Sequence, residues 1–174
     1  MRKIAYFISC LMIFLCSVGA SASVEKVRIS EAEKEYLARS IAVCYPDLSY
    51  GGRVSIAAVV LNRMGCEVFP DSASGAVMSL AAEGEFTSLD KVSAELNEKL
   101  LRLSVDAAEA AISGADPSGG ALYFESVDRE KWRGDLLFND FSEDESRRVM
   151  QNYFTEKYGV SAVIIDGIGF WGSY

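Results

Sequence analysis

Residues 37–63, LARSIAVCYPDLSYGGRVSIAAVVLNR, decide the fold. They read as two amphipathic helices joined through Tyr45-Pro46 and Gly51-Gly52. Upstream, Ser30-Glu31-Ala32-Glu33 is a capping box, with Ser30 as N-cap and Glu33 three residues on, so the first helix starts at about Glu31 and runs to Cys44. It is expected to bury Tyr36, Leu37, Ile41 and Cys44 or its neighbours, and Pro46 ends it by disfavouring helical backbone just before the ring. The second helix is expected over about Arg53 to Met64. Val54, Ile56, Ala57, Val59, Val60 and Leu61 make it apolar nearly all round, which suits the centre of a core. Gly65 is a natural stop.

Further along, Phe69-Pro70-Asp71-Ser72 reads as a turn, Ala76 to Ala82 as a short helix, and Glu83 to Thr87 as loop or short strand. Leu96, Leu100, Leu103 and Ala107 lie at helical spacing in a helix expected over about Val92 to Ile112, and a loop follows at Asp116 to Gly120. Ala121 to Glu125, ALYFE, has strand composition. Ser142-Glu143-Asp144-Glu145 is a second capping box, opening a helix that Gly159 ends. Val160 to Ile165 is then a strand, Asp166-Gly167 a two-residue hairpin turn, and Ile168 to Trp171 the returning strand. The fold class is α+β: a helix-rich domain with a small antiparallel sheet.

The N-terminus reads as a secretory signal peptide over residues 1–22. Arg2 and Lys3 precede the uncharged apolar run Ile4 to Val18, and Ala20-Ser21-Ala22 has the small residues of a cleavage site. The alternative is an uncleaved anchor, for which the run falls short of the roughly 20 residues a bilayer needs. Cleavage leaves 152 of the 174 residues, 23–174, as a single domain large enough for a core, and lowers the net charge from −8 to −10. The expected location is the cell envelope or beyond, with no stable membrane anchor after cleavage. Such an acidic chain repels phosphate backbones, so nucleic acid is excluded as a partner.

The chain has no histidine. That removes Ser-His-Asp and Cys-His catalysis. With two cysteines after residue 22 it also leaves no zinc site, and neither G-x-x-x-x-G-K-[ST] nor G-x-G-x-x-G occurs, so no cofactor or metal is expected. Carboxylates remain for acid–base work, and glycoside cleavage is a chemistry that needs little else.

Three blocks resemble the SleB-type cell wall hydrolases, the spore cortex-lytic family that cuts peptidoglycan, and together they span most of residues 23–174. The first is residues 37–63, where the family reads roughly L-A-R-x-x-Y-A-E-A-R-G-E. The second is Asp116 to Phe124, DPSGGALYF, close to the family's D-P-T-G-G-A-L-Y-F. The third is Ile165 to Trp171, IDGIGFW, where the family usually reads I-G-N-H-x-F-Y. The resemblance implies a lysozyme- and transglycosylase-like fold and peptidoglycan glycan strands as the partner. It also implies a single Glu that protonates the glycosidic oxygen. In register, that Glu falls on Cys44, the second family Glu on Leu48, and the His on Ile168.

Cys44 is a poor replacement, because a thiol has an unperturbed pKa of about 8.5 that burial raises further. It reads first as a small buried hydrophobe. A disulfide to Cys66 suits an exported protein. In a simple helical hairpin, however, the two residues stand at opposite ends of a helix spanning roughly 18 Å, beyond the reach of a bridge; free thiols are expected. Among acids, Glu85 is the substitute candidate, since EFTSL occupies the place of the family's Q-F-S segment beside the cleft. Glu125 and Asp47 come next, against the plainer reading of solvated surface acids. Phe86, Tyr123, Phe124, Trp132 and Trp171 are candidates to stack on sugars. For Phe86, Tyr123 and Phe124 the core reading is the first one, while Trp132 sits in the polar context REKWRGD. The functional readings are a peptidoglycan hydrolase that has moved its acid and an inactive relative that binds peptidoglycan or an envelope protein. An unrelated secreted helical protein is the third.

Overall fold

The computed structural model describes residues 28–92, 96–126 and 143–172. Residues 1–22, expected to be a signal peptide, Trp132 and Ser142 lie outside the described residues. The elements are α1 (Glu31–Cys44), α2 (Tyr50–Met64), α3 (Ala73–Ala82), a 3-10 turn (Leu89–Lys91), α4 (Glu98–Ile112), β1 (Tyr123–Ser126), α5 (Glu143–Tyr158), β2 (Val163–Ile165) and β3 (Ile168–Trp171). This is the expected helix-rich α+β fold.

Helix α1 has the expected bounds and capping box: the Glu33 amide donates to Ser30 Oγ, and the Ser30 amide donates to Glu33 Oε2. Helix α2 begins three residues ahead of the expected Arg53, because Ser49 is its N-cap and accepts from the Gly52 amide. Gly51-Gly52 is thus the first turn of a helix rather than a joint. A Cβ on Gly52 would lie 2.4 Å from Asp166 Oδ2, so this glycine makes room for the hairpin turn, whose Asp166 accepts from the Ser49 amide. Helix α3 starts at Ala73 with Ser72 as cap. Glu83 to Thr87 is loop, without a strand. Helix α4 begins at Glu98, since the Asn97 side chain accepts from the Lys99 and Leu100 amides and caps it there, later than the expected Val92.

Helix α2 lies at the centre, buried on nearly every side, as its apolar circumference requires. Helix α4 packs against both α1 and α2, and α3 covers the other flank of the same pair. Leu37, Ile41, Ile56, Val59, Val60, Val77, Leu80, Ala107 and Ala108 form the main core. The sheet has strand order β1-β3-β2, antiparallel throughout, with Phe124 opposite Phe170 and Glu125 opposite Gly169. Alternation along the strands sends Phe124, Ile168 and Phe170 into the main core. The opposite face meets α5, where Phe154 and Ala162 centre a second cluster with Tyr153, Ile164 and Trp171. Strand β3 has the expected bounds, while β1 is shifted to Tyr123–Ser126 and β2 starts only at Val163. The hairpin turn is as expected, with positive φ at Asp166 and Gly167.

The Asn62-Arg63 pair at the end of α2 ties the helices to the sheet. Asn62 Nδ2 donates to Asp116 Oδ2 and to the Ala121 carbonyl, both at 3.1 Å. Asp116 also accepts from the Ser118 and Gly120 amides, which closes the DPSGG loop. Burial alone would raise the Asp116 carboxyl, but donors from Ser118, Asn62 and Gly120 hold it below the usual carboxylate range. Arg63 has 0% exposure. Its Nε donates to the Leu122 carbonyl at 2.6 Å, and its other nitrogens fork onto Glu83 at 2.9 and 2.6 Å and reach Ser79. The Phe69 and Tyr123 rings lie 4.4 and 5.0 Å from the guanidinium carbon.

Two outcomes follow for stability. Arg63→Ala leaves the Leu122 carbonyl and Glu83 without their donors, and should cost about 3–5 kcal/mol in urea unfolding, with Arg63→Lys intermediate because it cannot fork. Gly169→Ala should cost about 2 kcal/mol, since a Cβ there would come within 2.1 Å of the Phe154 ring. Its signature should be loss of near-ultraviolet signal from the α5 cluster before the main core unfolds.

Candidate active site

Cys44 closes α1, half-buried against the main core, with its thiol facing the backbone of Ser88 and the charge of Asp90. Burial pushes the thiol pKa up; the Ser88 contact opposes this and Asp90 adds to it. Cys44 therefore keeps its proton at neutral pH. Cys66 is also half-buried, and both thiols are free. Leu48 packs against the main core and Ile168 is 2% exposed within it.

The residue after Cys44 is Tyr45, and it reaches Glu85. Its hydroxyl donates to Glu85 Oε2 at 2.7 Å and accepts from the Phe86 amide at 3.2 Å. Glu85 Oε1 accepts from the Ser126 amide at 3.3 Å, at the end of β1, an edge strand among the described residues. The Tyr45 ring packs edge-on against Phe86 and Phe124, with centroids 5.4 and 5.9 Å away. Burial raises the Glu85 pKa; hydrogen bonds from Tyr45 and Ser126 oppose the rise without cancelling it, and the charges of Glu125 and Glu83 add to it. Burial also pushes the Tyr45 phenol well above its ordinary value, so the phenol keeps its proton.

Glu125 has the opposite surroundings. Tyr153 Oη donates to Oε1 at 3.0 Å, Lys157 Nζ donates at 2.9 and 3.2 Å, and Tyr158 Oη donates to Oε2. Burial would raise this carboxyl, but donors from Tyr158, Lys157 and Tyr153 hold it below the usual range. The same contacts anchor α5 to β1. Two carboxylates that influence each other are thus pushed apart, one toward the protonated and one toward the ionised form.

The aromatic candidates are placed differently from one another. Phe86 is 2% exposed and packs on Tyr45 and Phe124, so its ring meets protein. Tyr123 and Trp171 stack at 6.1 Å, Trp171 stacks on Tyr158 at 5.0 Å, and Phe154 lies 5.1 Å from Trp171. Both rings are half-buried and form a row along the α5 face of the sheet. Asp47 is exposed and apart from these hydrogen bonds, while Trp132 lies outside the described residues. Sequence reasoning missed Tyr45, which it read only as part of a helix joint, and the cage of Tyr153, Lys157 and Tyr158. The 153, 157, 158 spacing on one helix face was the available signal for the cage. Among the described residues, no three His, Cys, Asp or Glu side chains gather to hold a metal, and no helix is long and apolar enough to cross a membrane.

Comparison with known proteins gives this site its context. Residues 48–142 match the Cell Wall Hydrolase family. The spore cortex-lytic enzyme of Oceanobacillus iheyensis is 40% identical over 81 residues, 45% of this chain and 27% of that protein. That of Bacillus subtilis is 37% identical over 81 residues, 45% of this chain and 24% of that protein. The match thus spans about a quarter of the length of these relatives. The crystal structure of the catalytic domain of the Bacillus cereus SleB protein superposes with a TM-score of 0.54 at 21% identity, over 90% of this chain and all of that one. The catalytic domain of the germination-specific lytic transglycosylase SleB from Bacillus anthracis gives 0.52 at 22% identity, over 82% of this chain and 96% of that one. These likenesses share the lysozyme-like fold built above. With more than half of its length matched to the family, this chain belongs to the SleB-type cell wall hydrolases.

Proposed function

We propose that this protein acts on the glycan strands of peptidoglycan in the cell envelope, with Glu85 as the acid that protonates the glycosidic oxygen. The observation that carries the reading is the Glu85 carboxyl itself: part-buried, and bonded to Tyr45, the residue next to the vacated acid position. A general acid for a sugar oxygen must hold a proton near neutral pH, and burial favours that form at Glu85. The family membership supports the substrate class, and the apolar N-terminal run of residues 4–18 followed by Ala20-Ser21-Ala22 supports export.

A second reading is a relative without turnover that binds peptidoglycan or an envelope protein. It draws on Cys44 and Leu48, which leave hydrocarbon and a thiol where the family pattern carries two carboxylates. Half-buried Tyr123 and Trp171 would serve either reading only through whatever edges remain outside their mutual stack.

Digestion of purified sacculi by the mature protein, with soluble products read by mass spectrometry, separates the two. Under the first reading, muropeptides are released, Glu85→Gln lowers the rate by at least a hundredfold, and Glu125→Gln has a smaller effect through the seating of α5. Turnover should fall as pH rises through the Glu85 titration, which lies above the ordinary glutamate range, because the protonated form is the working one. Co-sedimentation with sacculi without soluble product, together with a gain of activity in Cys44→Glu, would instead establish the second.

A further inference from the structure

We infer that Tyr45 is a positioning residue for the Glu85 acid: its hydroxyl, locked in orientation by the Phe86 amide, aims one proton at Glu85 Oε2 and fixes where that carboxyl points. This rests on the reading of Glu85 as the acid.

The direction of the relay follows from which groups can donate. A backbone N–H only donates, so the 3.2 Å contact from the Phe86 amide occupies the Tyr45 oxygen as acceptor. The phenol has a single proton, and it goes to Glu85 at 2.7 Å. The ring cannot swing away, because Phe86 and Phe124 hold it edge-on. The hydroxyl is thus a fixed donor rather than a freely turning one.

The backbone around Glu85 is arranged for the same purpose. Phe86 has φ of 49°, the left-handed region that an aromatic side chain rarely adopts. Such a residue persists only where its surroundings over-determine it, and such residues cluster at functional sites. Here the unusual φ does two things at once: it sends the Phe86 ring into the core at 2% exposure and turns its amide toward Tyr45. The other oxygen of Glu85 is held by the Ser126 amide on the β1 edge. Both carboxyl oxygens therefore have a fixed donor, one from the end of α1 and one from the sheet.

These donors also temper the acid. Hydrogen bonds to a carboxylate favour its ionised form, whereas burial favours the protonated one. Tyr45 therefore keeps Glu85 able to release its proton while burial keeps it loaded.

The test is Tyr45→Phe, which retains the ring packing and removes the hydroxyl. Two measurements are needed: the carbon-13 titration of the Glu85 carboxyl by NMR, and the pH profile of sacculus digestion. The Glu85 midpoint should rise by about one pH unit, the value of one strong donor. The alkaline fall in kcat should move the same way, and kcat should drop about tenfold with KM within a factor of two. A merely structural tyrosine would move neither the midpoint nor the pH limb, and that result with Glu85→Gln inactive overturns the inference alone. Full digestion by Glu85→Gln, or no digestion by the wild type, overturns the acid reading and the positioning role with it. Should Tyr45→Phe fail to fold, 3-fluorotyrosine at position 45 keeps the hydroxyl and makes it a stronger donor. The Glu85 midpoint should then fall, and an unmoved midpoint overturns the inference.

Discussion

Arg63 carries a full positive charge where water does not reach, and much of the geometry described above follows from how that charge is satisfied. An isolated buried guanidinium would be prohibitively costly. Its guanidinium donates to Glu83 at the end of α3, to Ser79 within it and to the Leu122 carbonyl just before β1. Helix α3 and strand β1 are thereby held at fixed distances from the end of α2. Because Glu83 is fixed, the loop immediately after it, which carries Glu85, leaves α3 from a defined place. Because the Leu122 carbonyl is fixed, β1 is set so that its end presents the Ser126 amide to Glu85. The Asn-Arg ending of the helix reads in sequence as a family signature; in the structure it is the joint between helices and sheet.

Within this frame, chemistry is divided between two glutamates by their neighbours. Glu85 lies among Tyr45, Phe86 and Phe124, and burial dominates its titration. Glu125, on the α5 side of the sheet, is surrounded by two phenols and an ammonium. The same residue type thus has its carboxyl pushed up in one place and held down in the other. This pattern of paired carboxylates in contrasting environments is the one lysozyme uses to divide acid and stabilising roles. Here Glu125 is bonded to Tyr153, Lys157 and Tyr158 of α5, which Glu85 is not.

The helices were largely legible in the sequence because their determinants are local. The Ser30-Glu33 box set α1 to the residue, and the apolar circumference of α2 placed it at the centre. Errors arose where a local signal had a distant cause. Gly51-Gly52 looked like a break, yet Gly52 is small for the sake of Asp166, whose contact with Ser49 spans 117 positions. The start of α4 was set too early because apolar spacing continued past the cap at Asn97. Glu85 is singled out in the sequence by its place in the family pattern. Tyr45 is not, because its contact lies 40 positions away and no periodicity reports it.

The Asp166 contact with Ser49 also orders events in time. It joins the start of α2 to the turn between β2 and β3, and β1 cannot pair until residues 168–171 arrive. The core face of the sheet is therefore completed by the last described segment of the chain. A polypeptide emerging N-terminus first has made α1, α2 and α4 long before Phe170 can cover them. Such contact order slows the productive search and leaves apolar surface open to other copies meanwhile. Refolding yield should depend more on protein concentration than the helical content of the domain suggests, and the vulnerable interval ends only when the hairpin closes.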